Sequence, residues 1–250
     1  MANAAATVGG EGFGATKRRD TWWLEPLVTG LGLGLFGVYA TWAAFQGENF
    51  YAAPYLSPFY SPLILVDWWP FSPAILILWA PLGFRGTCYY YRKAYYRAYF
   101  QDPPACAVEE RKGRYYVGER AFPFVLQNLH RYFFYLAVVV VAFLWYDVYE
   151  AFFFADGFGM GLGTLVLLAN IVLLSAYTFS CHSFRHLIGG KLNCMACTHQ
   201  GGARHKVWSG VSQINHHHMF WAWTSLVMVG LADLYVRLVA SGVIQDVRFF

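Results

Sequence analysis

The chain alternates long apolar segments with shorter polar ones, and this pattern predicts five membrane-spanning helices. Each apolar segment reaches the roughly 20 residues that a helix needs to cross about 30 Å of hydrocarbon. The second segment contains Asp67, Pro70 and Pro73, which predict a kink or a shifted helix start. The predicted spans cover residues 26–46, 62–84, 125–147, 159–186 and 216–240.

The composition supports an all-α integral membrane protein. Charged residues make up 13% of the chain and hydrophobic residues 58%, whereas a soluble domain carries about 25% charge. Trp and Tyr crowd the ends of the spans, as they do at membrane–water interfaces. The first apolar run lacks a small-residue cleavage pattern and is long enough to span. We therefore predict a cytoplasmic N-terminal segment at 1–21, followed by one membrane domain at 22–250.

The distribution of basic residues predicts the orientation of the chain. Sixteen of the 18 Lys and Arg lie in the N-terminal segment, in the second and fourth loops, or at the span ends beside them. The first and third loops contain none, although they carry Glu48, Glu150 and Asp156. Because cytoplasmic loops are enriched in Lys and Arg, the N-terminus is predicted to be cytoplasmic and the C-terminus to lie outside.

Histidine and cysteine concentrate on the predicted cytoplasmic face. The stretch CHSFRHLIGGKLNCMACTHQGGARH, residues 181–205, follows the fourth span, HHH at 216–218 opens the fifth, and His130 begins the third. His182 and His186 are four residues apart and therefore share a helical face. A single histidine at a span end is commonly an interfacial residue, but this density favours a redox metal centre or a haem.

The residue types leave three kinds of centre open. Two thiolates and two imidazoles fit a Rieske-type [2Fe–2S] cluster, whose neutral His ligands raise its potential and make a quinone a plausible electron acceptor. The second is a haem b, held between helices by His130 or His182 and by a histidine of 216–218. The third is a structural zinc at Cys194, Cys197 and His199 in a non-catalytic scaffold or transporter.

Three stretches resemble the membrane-anchor subunit of succinate dehydrogenase (respiratory complex II), in the five-helix class that has one anchor subunit. They are LQNLHRYFFYLAV in the third span, CHSFRHLIGG after the fourth, and INHHHMFWAWTS at the fifth. The resemblance implies a Rieske-type cluster in the membrane, with quinone reduction beside it. One departure is Phe184, which stands where the family pattern has a second cysteine. Either Cys194 and Cys197 would replace that thiol, or the centre would be a haem. The matching positions are Cys181, His182, Arg185, His186, Gly189, Gly190, His218 and His130.

The resemblance also implies partners and roles. A soluble flavoprotein subunit would oxidise succinate, and a soluble iron–sulfur subunit would pass the electrons to this chain in the inner (cytoplasmic) membrane. The acceptor would be a quinone, menaquinone or ubiquinone, and the complex could form a higher oligomer; no nucleic acid is expected. The predicted metal ligands are Cys181, His182, His186, Cys194, Cys197 and His218. His130 and Arg131 are the predicted catalytic residues, and Trp23, Tyr132 and Arg185 the predicted cofactor-binding residues.

The segment CYYYRKAYYRAYF, residues 88–100, is the predicted docking surface for the soluble subunits. Its tyrosines and cations form a broad amphipathic surface of the kind found in large protein interfaces. Binding of lipid headgroups is the alternative function for the same segment.

Overall fold

The structure is a computed structural model that describes residues 12–110, 120–122, 124–190, 193–194, 197 and 201–250. The described chain is mostly helical, with two small antiparallel hairpins and short 3₁₀ and π-helical turns between the helices. The helices are α1 Leu24–Gln46, α2 Ile75–Gly86, α3 Tyr89–Tyr95, α4 His130–Glu150, α5 Leu162–Phe179, α6 His182–Gly189, α7 Gly201–His216 and α8 His218–Ala240. The strands are β1 Tyr51–Ala52, β2 Tyr55–Leu56, β3 Phe153–Phe154 and β4 Gly157–Phe158.

Four helical segments in the described residues are long and apolar enough to cross a membrane: α1, Phe124–Glu150, α5 and α8. They confirm four of the five predicted apolar spans as helices. The remaining span, at 62–84, is helical only from Ile75, and α2 has 12 residues, or about 18 Å of rise. Proline disfavours helical backbone in the residue before it, so Pro70 and Pro73 keep the first half of this segment out of the helix.

The predicted span at 159–186 is interrupted near its end. Helix α5 stops at Phe179, and α6 begins at His182 after Cys181, whose backbone is extended (φ −62°, ψ 142°). The residues after Phe179 are largely polar (SCHSFRH), but this change in polarity does not show whether the helix breaks there or continues. The break places Ser180 and Cys181 between two helix ends, where side chains replace missing helical hydrogen bonds.

The described residues fall into two compact units, 1–38 with 85–129 and 39–84 with 130–250. In the first unit, the aromatic segment 88–100 packs partly on the beginning of α1. The Tyr99 hydroxyl donates to the Gly30 carbonyl at 2.6 Å, and Arg97 lies 4.0 Å from the Glu25 carboxylate. Tyr91 is buried, whereas Tyr89 is 69% exposed. Part of the predicted docking surface therefore serves the fold of this unit.

In the second unit, α5 packs against both α4 and α8. Lipid is as apolar as these side chains, so close packing and buried hydrogen bonds contribute more to helix association here than removal from water does. Tyr55 lies against Gly163, where an added Cβ would come within 2.6 Å of the Tyr55 ring. The core residues are Tyr55, Val141, Leu144, Val148, Ala151, Leu167, Ile171, Ala232 and Val236.

The C-terminal tail is held to this core by Asp246. Its carboxylate accepts hydrogen bonds from the hydroxyls of Tyr55 at 2.6 Å and Tyr235 at 2.5 Å, and from the Gly163 backbone N–H at 2.9 Å. Burial, together with the hydrogen bond to Asp246, raises the pKa of Tyr55 to about 12. The hydroxyl of Tyr55 therefore stays protonated at neutral pH and remains a donor.

Candidate functional site

The first contact of the site joins the start of α4 to the break between α5 and α6. His130 Nε2 lies 3.0 Å from the Cys181 sulfur, and the His130 ring stacks on Phe84 with ring centres 4.9 Å apart. The Cys181 side chain is 1% exposed and accepts a hydrogen bond from the Ser183 backbone N–H at the first turn of α6. The structure thus brings together two of the predicted site residues, an imidazole and a thiol.

The second contact joins Arg131 to His186. A guanidinium nitrogen of Arg131 lies 2.7 Å from His186 Nδ1. Because guanidinium has donors only, His186 Nδ1 must accept, and the neutral ring then carries its hydrogen on Nε2. The His186 ring lies over Gly190, where an added Cβ would come within 2.6 Å of His186 Cγ. This pair therefore combines a cation with an N–H donor.

His218 is the third imidazole of the site. It is 2% exposed, its Nδ1 lies 2.6 Å from the Ser180 hydroxyl, and its ring stacks on Tyr177 with centres 5.1 Å apart. His216 and His217 are exposed. α7 ends at His216 and α8 begins at His218, so the HHH stretch lies at the junction of two helices, and only His218 of the three is buried. We call His130, Arg131, Cys181, His186 and His218, with Ser180, the helix-end cluster.

The aromatic rings that lie between His130 and His218 determine whether a haem could bind between these two imidazoles. Phe84 contacts both His130 and Tyr177, with 5.3 Å between the Phe84 and Tyr177 ring centres, and Tyr177 in turn stacks on His218. Two protein rings thus occupy the path between the imidazoles. A haem gripped axially by His130 and His218 does not fit this arrangement.

The described cysteine and histidine side chains are not arranged as the ligands of one metal ion would be. Within the part of the chain that the structure describes, no three Cys, His, Asp or Glu side chains form a metal-binding group. Phe184 packs against Phe134 and Phe179, so position 184 supplies no donor. Cys194 and Cys197 form a disulfide with each other, and His199 lies outside the described residues. Among the described residues, the site therefore offers the thiol of Cys181, which is not in a disulfide, with several imidazoles.

The other predicted site residues lie elsewhere. Arg185 donates to the Ser212 hydroxyl at 2.9 Å and lies over the Trp208 ring, so it joins α6 to α7. Tyr132 is 67% exposed on α4, and Trp23 is 49% exposed just before α1 in the other unit. His182 is exposed beyond the end of α5, and its pKa is lowered by partial desolvation and by the charges of Arg185 and His186.

The sequence interpretation missed a buried charged pair near the other end of α8. Asp233 is 0% exposed and accepts from Arg237 Nε at 2.8 Å, from the Tyr39 hydroxyl at 2.6 Å and from Ser57. Arg237 also donates to the carbonyls of Ala43 and Glu48. An acid and a base four residues apart inside an apolar span are the signal that could have revealed the pair.

Comparison with known proteins identifies the family. Residues 24–242 match the family described as actinobacterial succinate dehydrogenase subunit SdhC. The chain belongs to this family. It is thus a multi-pass subunit of succinate dehydrogenase in the cytoplasmic membrane, with flavoprotein and iron–sulfur subunits as partners and the succinate site on another subunit.

A solved structure supports the same assignment. The chain is similar to a chain of the Mycobacterium smegmatis Sdh1 complex in the apo form, with 45% identity, a TM-score of 0.86 and 94% of each chain covered. No curated protein matches the sequence. The resemblance stated from the three sequence stretches is therefore confirmed at the level of the succinate dehydrogenase membrane subunit.

Proposed function

We propose that this subunit of succinate dehydrogenase reduces a quinone, menaquinone or ubiquinone, at the helix-end cluster. The contact between Arg131 and His186 carries the proposal, because it places a cation beside an imidazole whose second nitrogen, Nε2, carries the hydrogen. Electrons would arrive from the soluble iron–sulfur subunit and leave in the quinol.

The chemistry requires two electrons and two protons for each quinone. Negative charge develops on the quinone oxygens as electrons arrive, and a preorganised cation such as Arg131 stabilises that charge. The Nε2–H of His186 transfers its proton to one oxygen of the reduced quinone, the Arg131 cation stabilises the imidazolate that is left, and Nε2 then takes a proton from water, which also protonates the second oxygen. Arg131 keeps Nδ1 of the same ring occupied, so the proton leaves from Nε2.

We also propose how the chain is oriented in the membrane. The helix-end cluster faces the cytoplasm if the basic segments do, and there it meets the soluble subunits. Five crossings require the segment 62–86 to span, with the non-helical residues before Ile75 covering the part of the bilayer that α2 does not reach. This gives a cytoplasmic N-terminus and an external C-terminus.

A Rieske-type cluster is the redox centre that we propose for this subunit. Cys181 would supply one thiolate, and His218 and His182 would supply the two imidazoles. Cys194 or Cys197 would supply the second thiolate, which requires their disulfide to be reduced. Because cytosolic thiols are kept reduced, the dithiol is the form expected on a cytoplasmic loop. When bound, the cluster would supply one-electron transfer at a raised potential.

Family membership and the site geometry favour this redox role over the alternatives. The rings of Phe84 and Tyr177 between His130 and His218 argue against a haem held by that pair. A zinc site at Cys194, Cys197 and His199 would make the chain a scaffold, and it would not account for the Arg131–His186 contact.

Replacing Arg131 with Gln tests the proposed reaction. We expect quinone reduction by the assembled complex to fall about 10-fold, the usual effect of losing a partner that orients a functional histidine. Succinate oxidation with a soluble dye should be unchanged, since that reaction needs only the soluble subunits. Arg185→Gln, which alters a guanidinium facing α7, is the matched control. An Arg131→Gln complex that reduces quinone at the wild-type rate would reject the proposal.

Replacing the loop cysteines tests the cluster. We expect a reduced wild-type complex to give a rhombic EPR signal with a low average g value, and Cys181→Ser to abolish it. At least one of Cys194→Ser and Cys197→Ser should abolish the signal as well. Cys106→Ser, at an exposed cysteine, is the control. A purified complex without this signal, or one that keeps it in all three variants, would eliminate this ligand set.

A further inference from the structure

The chain leaves and rejoins the fold at nearly the same place between Tyr60 and Ser72. The Ser72 hydroxyl donates to the Tyr60 hydroxyl at 3.1 Å, which closes the residues between them into a loop that we call the 61–71 loop. The buried Tyr60 hydroxyl donates in turn to the carbonyl of Ala43, in the last turn of α1, at 3.0 Å. Arg237, in the last turn of α8, lies over the Tyr60 ring. The base of the loop is therefore fixed to the ends of two apolar helices.

The 61–71 loop adds nothing to the path of the chain along α8. Ser72 lies beside the end of α8 through the contacts just described. Phe84 lies at the other end of the same helix, because its ring contacts Tyr177 with 5.3 Å between centres, and Tyr177 stacks on His218, the first residue of α8. The residues from Ser72 to Phe84 therefore run from one end of α8 to the other, and the loop before them is left at the end where they start.

The surface of the loop is apolar. Leu65 is 71% exposed and Trp68 73% exposed. The indole N–H of Trp69 donates to the Ser72 carbonyl at 3.2 Å, so the polar atom of this ring is satisfied at the base of the loop. Asp67 is the only charged residue of the segment. A contiguous exposed apolar surface of this kind marks an interaction site. The exposed large apolar side chains are Leu63, Ile64, Leu65, Trp68 and Phe71.

The position of the loop selects the lipid bilayer as its partner. Helices α1 and α8 are long and apolar enough to cross a membrane, and the loop is fixed beside their ends, where hydrocarbon gives way to water. Tryptophan is enriched at that level. The backbone of residues 63–66 is neither helical nor in a strand, and irregular backbone that faces lipid does not occur within the hydrocarbon. The Asp67 carboxylate also requires water. The loop therefore fits the headgroup region and not the bilayer centre.

We infer that the 61–71 loop is an interfacial anchor, which lies along the membrane surface with Leu65 and Trp68 inserted among the lipid headgroups and upper acyl chains. The crossing in this part of the chain then belongs to the residues from Ser72 onward. The anchor holds the membrane end that lies opposite the helix-end cluster. This inference goes beyond the proposed function, and only the choice of the outer leaflet rests on the orientation proposed above.

Nitroxide labels test the inference in the assembled complex in phosphatidylcholine nanodiscs. Leu65→Cys and Trp68→Cys, each combined with Cys106→Ser, carry the label, and its collisions with oxygen and with a water-soluble nickel chelate are measured. Leu35→Cys, on an exposed position in the middle of α1, is the reference for hydrocarbon, and Glu48→Cys, just after α1, is the reference for water. We expect both loop labels to give an oxygen-to-nickel ratio several-fold above the water reference and below the hydrocarbon reference.

Each other result would overturn the inference. A ratio equal to that of Glu48→Cys would mean that the loop lies in water, and a ratio equal to that of Leu35→Cys would place it in the hydrocarbon. Few collisions with either reagent would mean that another chain, such as a second copy of this subunit, covers the loop. A nanodisc exposes both membrane faces to nickel, and quinone reduction is not measured, so failure of the proposed function would leave this readout unchanged.

Discussion

Arg237→Ala should destabilise the subunit by about 3–5 kcal/mol, because it leaves the Asp233 carboxylate buried without its countercharge. Asp233 is 0% exposed and Arg237 5% exposed, so water cannot replace the lost partner. The substitution also removes the donors to the carbonyls of Ala43, at the end of α1, and Glu48. We expect a much lower yield of assembled complex and a lower midpoint of thermal disassembly in detergent.

Two further variants make the Arg237 prediction specific. Arg248→Ala breaks an exposed ion pair with Asp156 and should cost no more than about 1 kcal/mol, since water solvates both groups. The double variant Asp233→Leu with Arg237→Leu removes both charges, and it should be more stable than either single change because no buried charge remains. The prediction is wrong if Arg237→Ala assembles and melts like Arg248→Ala.

Much of the helical architecture follows from hydrophobicity, because four apolar runs are long enough to be helices whatever surrounds them. The segment 62–84 was harder to interpret, since its two prolines interrupt a run of suitable length. The end of α5 was not predictable, because the change to polar residues after Phe179 is equally compatible with a helix that continues out of the membrane. The break depends on side chains that supply hydrogen bonds in the folded protein, and those contacts are tertiary.

The site was predictable in its residue types and less so in its contacts. The density of His and Cys pointed to Cys181 and the imidazoles, and the structure brings His130, Arg131, His186 and His218 to the ends of packed helices. Which histidine of 216–218 is buried depends on where α7 ends and α8 begins, and the sequence does not determine that junction. The pairing of Arg131 with His186 joins positions 55 residues apart, so no local pattern could reveal it.

Gly190→Ala should reduce quinone turnover about 100-fold or more, as much as removing the His186 imidazole does. The backbone of Gly190 is in the right-handed helical region (φ −71°, ψ −7°), so alanine fits it without strain. The added Cβ, however, would come within 2.6 Å of His186 Cγ and 2.7 Å of Nε2. The ring must change rotamer, and it then leaves the Arg131 guanidinium that now lies 2.7 Å from Nδ1.

The size of this effect follows from the role of His186. General acid catalysis contributes roughly 10²–10⁴-fold, and it requires the donor within hydrogen-bonding reach of the substrate. The loss of quinone turnover in His186→Gln is the reference value, and Gly190→Ala should show the same loss. Dye-linked succinate oxidation and assembly of the complex should remain at wild-type levels in Gly190→Ala. Gly210→Ala is the control, because a Cβ there meets nothing within 4 Å and alanine favours the helix. Wild-type quinone turnover in Gly190→Ala would show that the position of the His186 ring does not matter to the reaction.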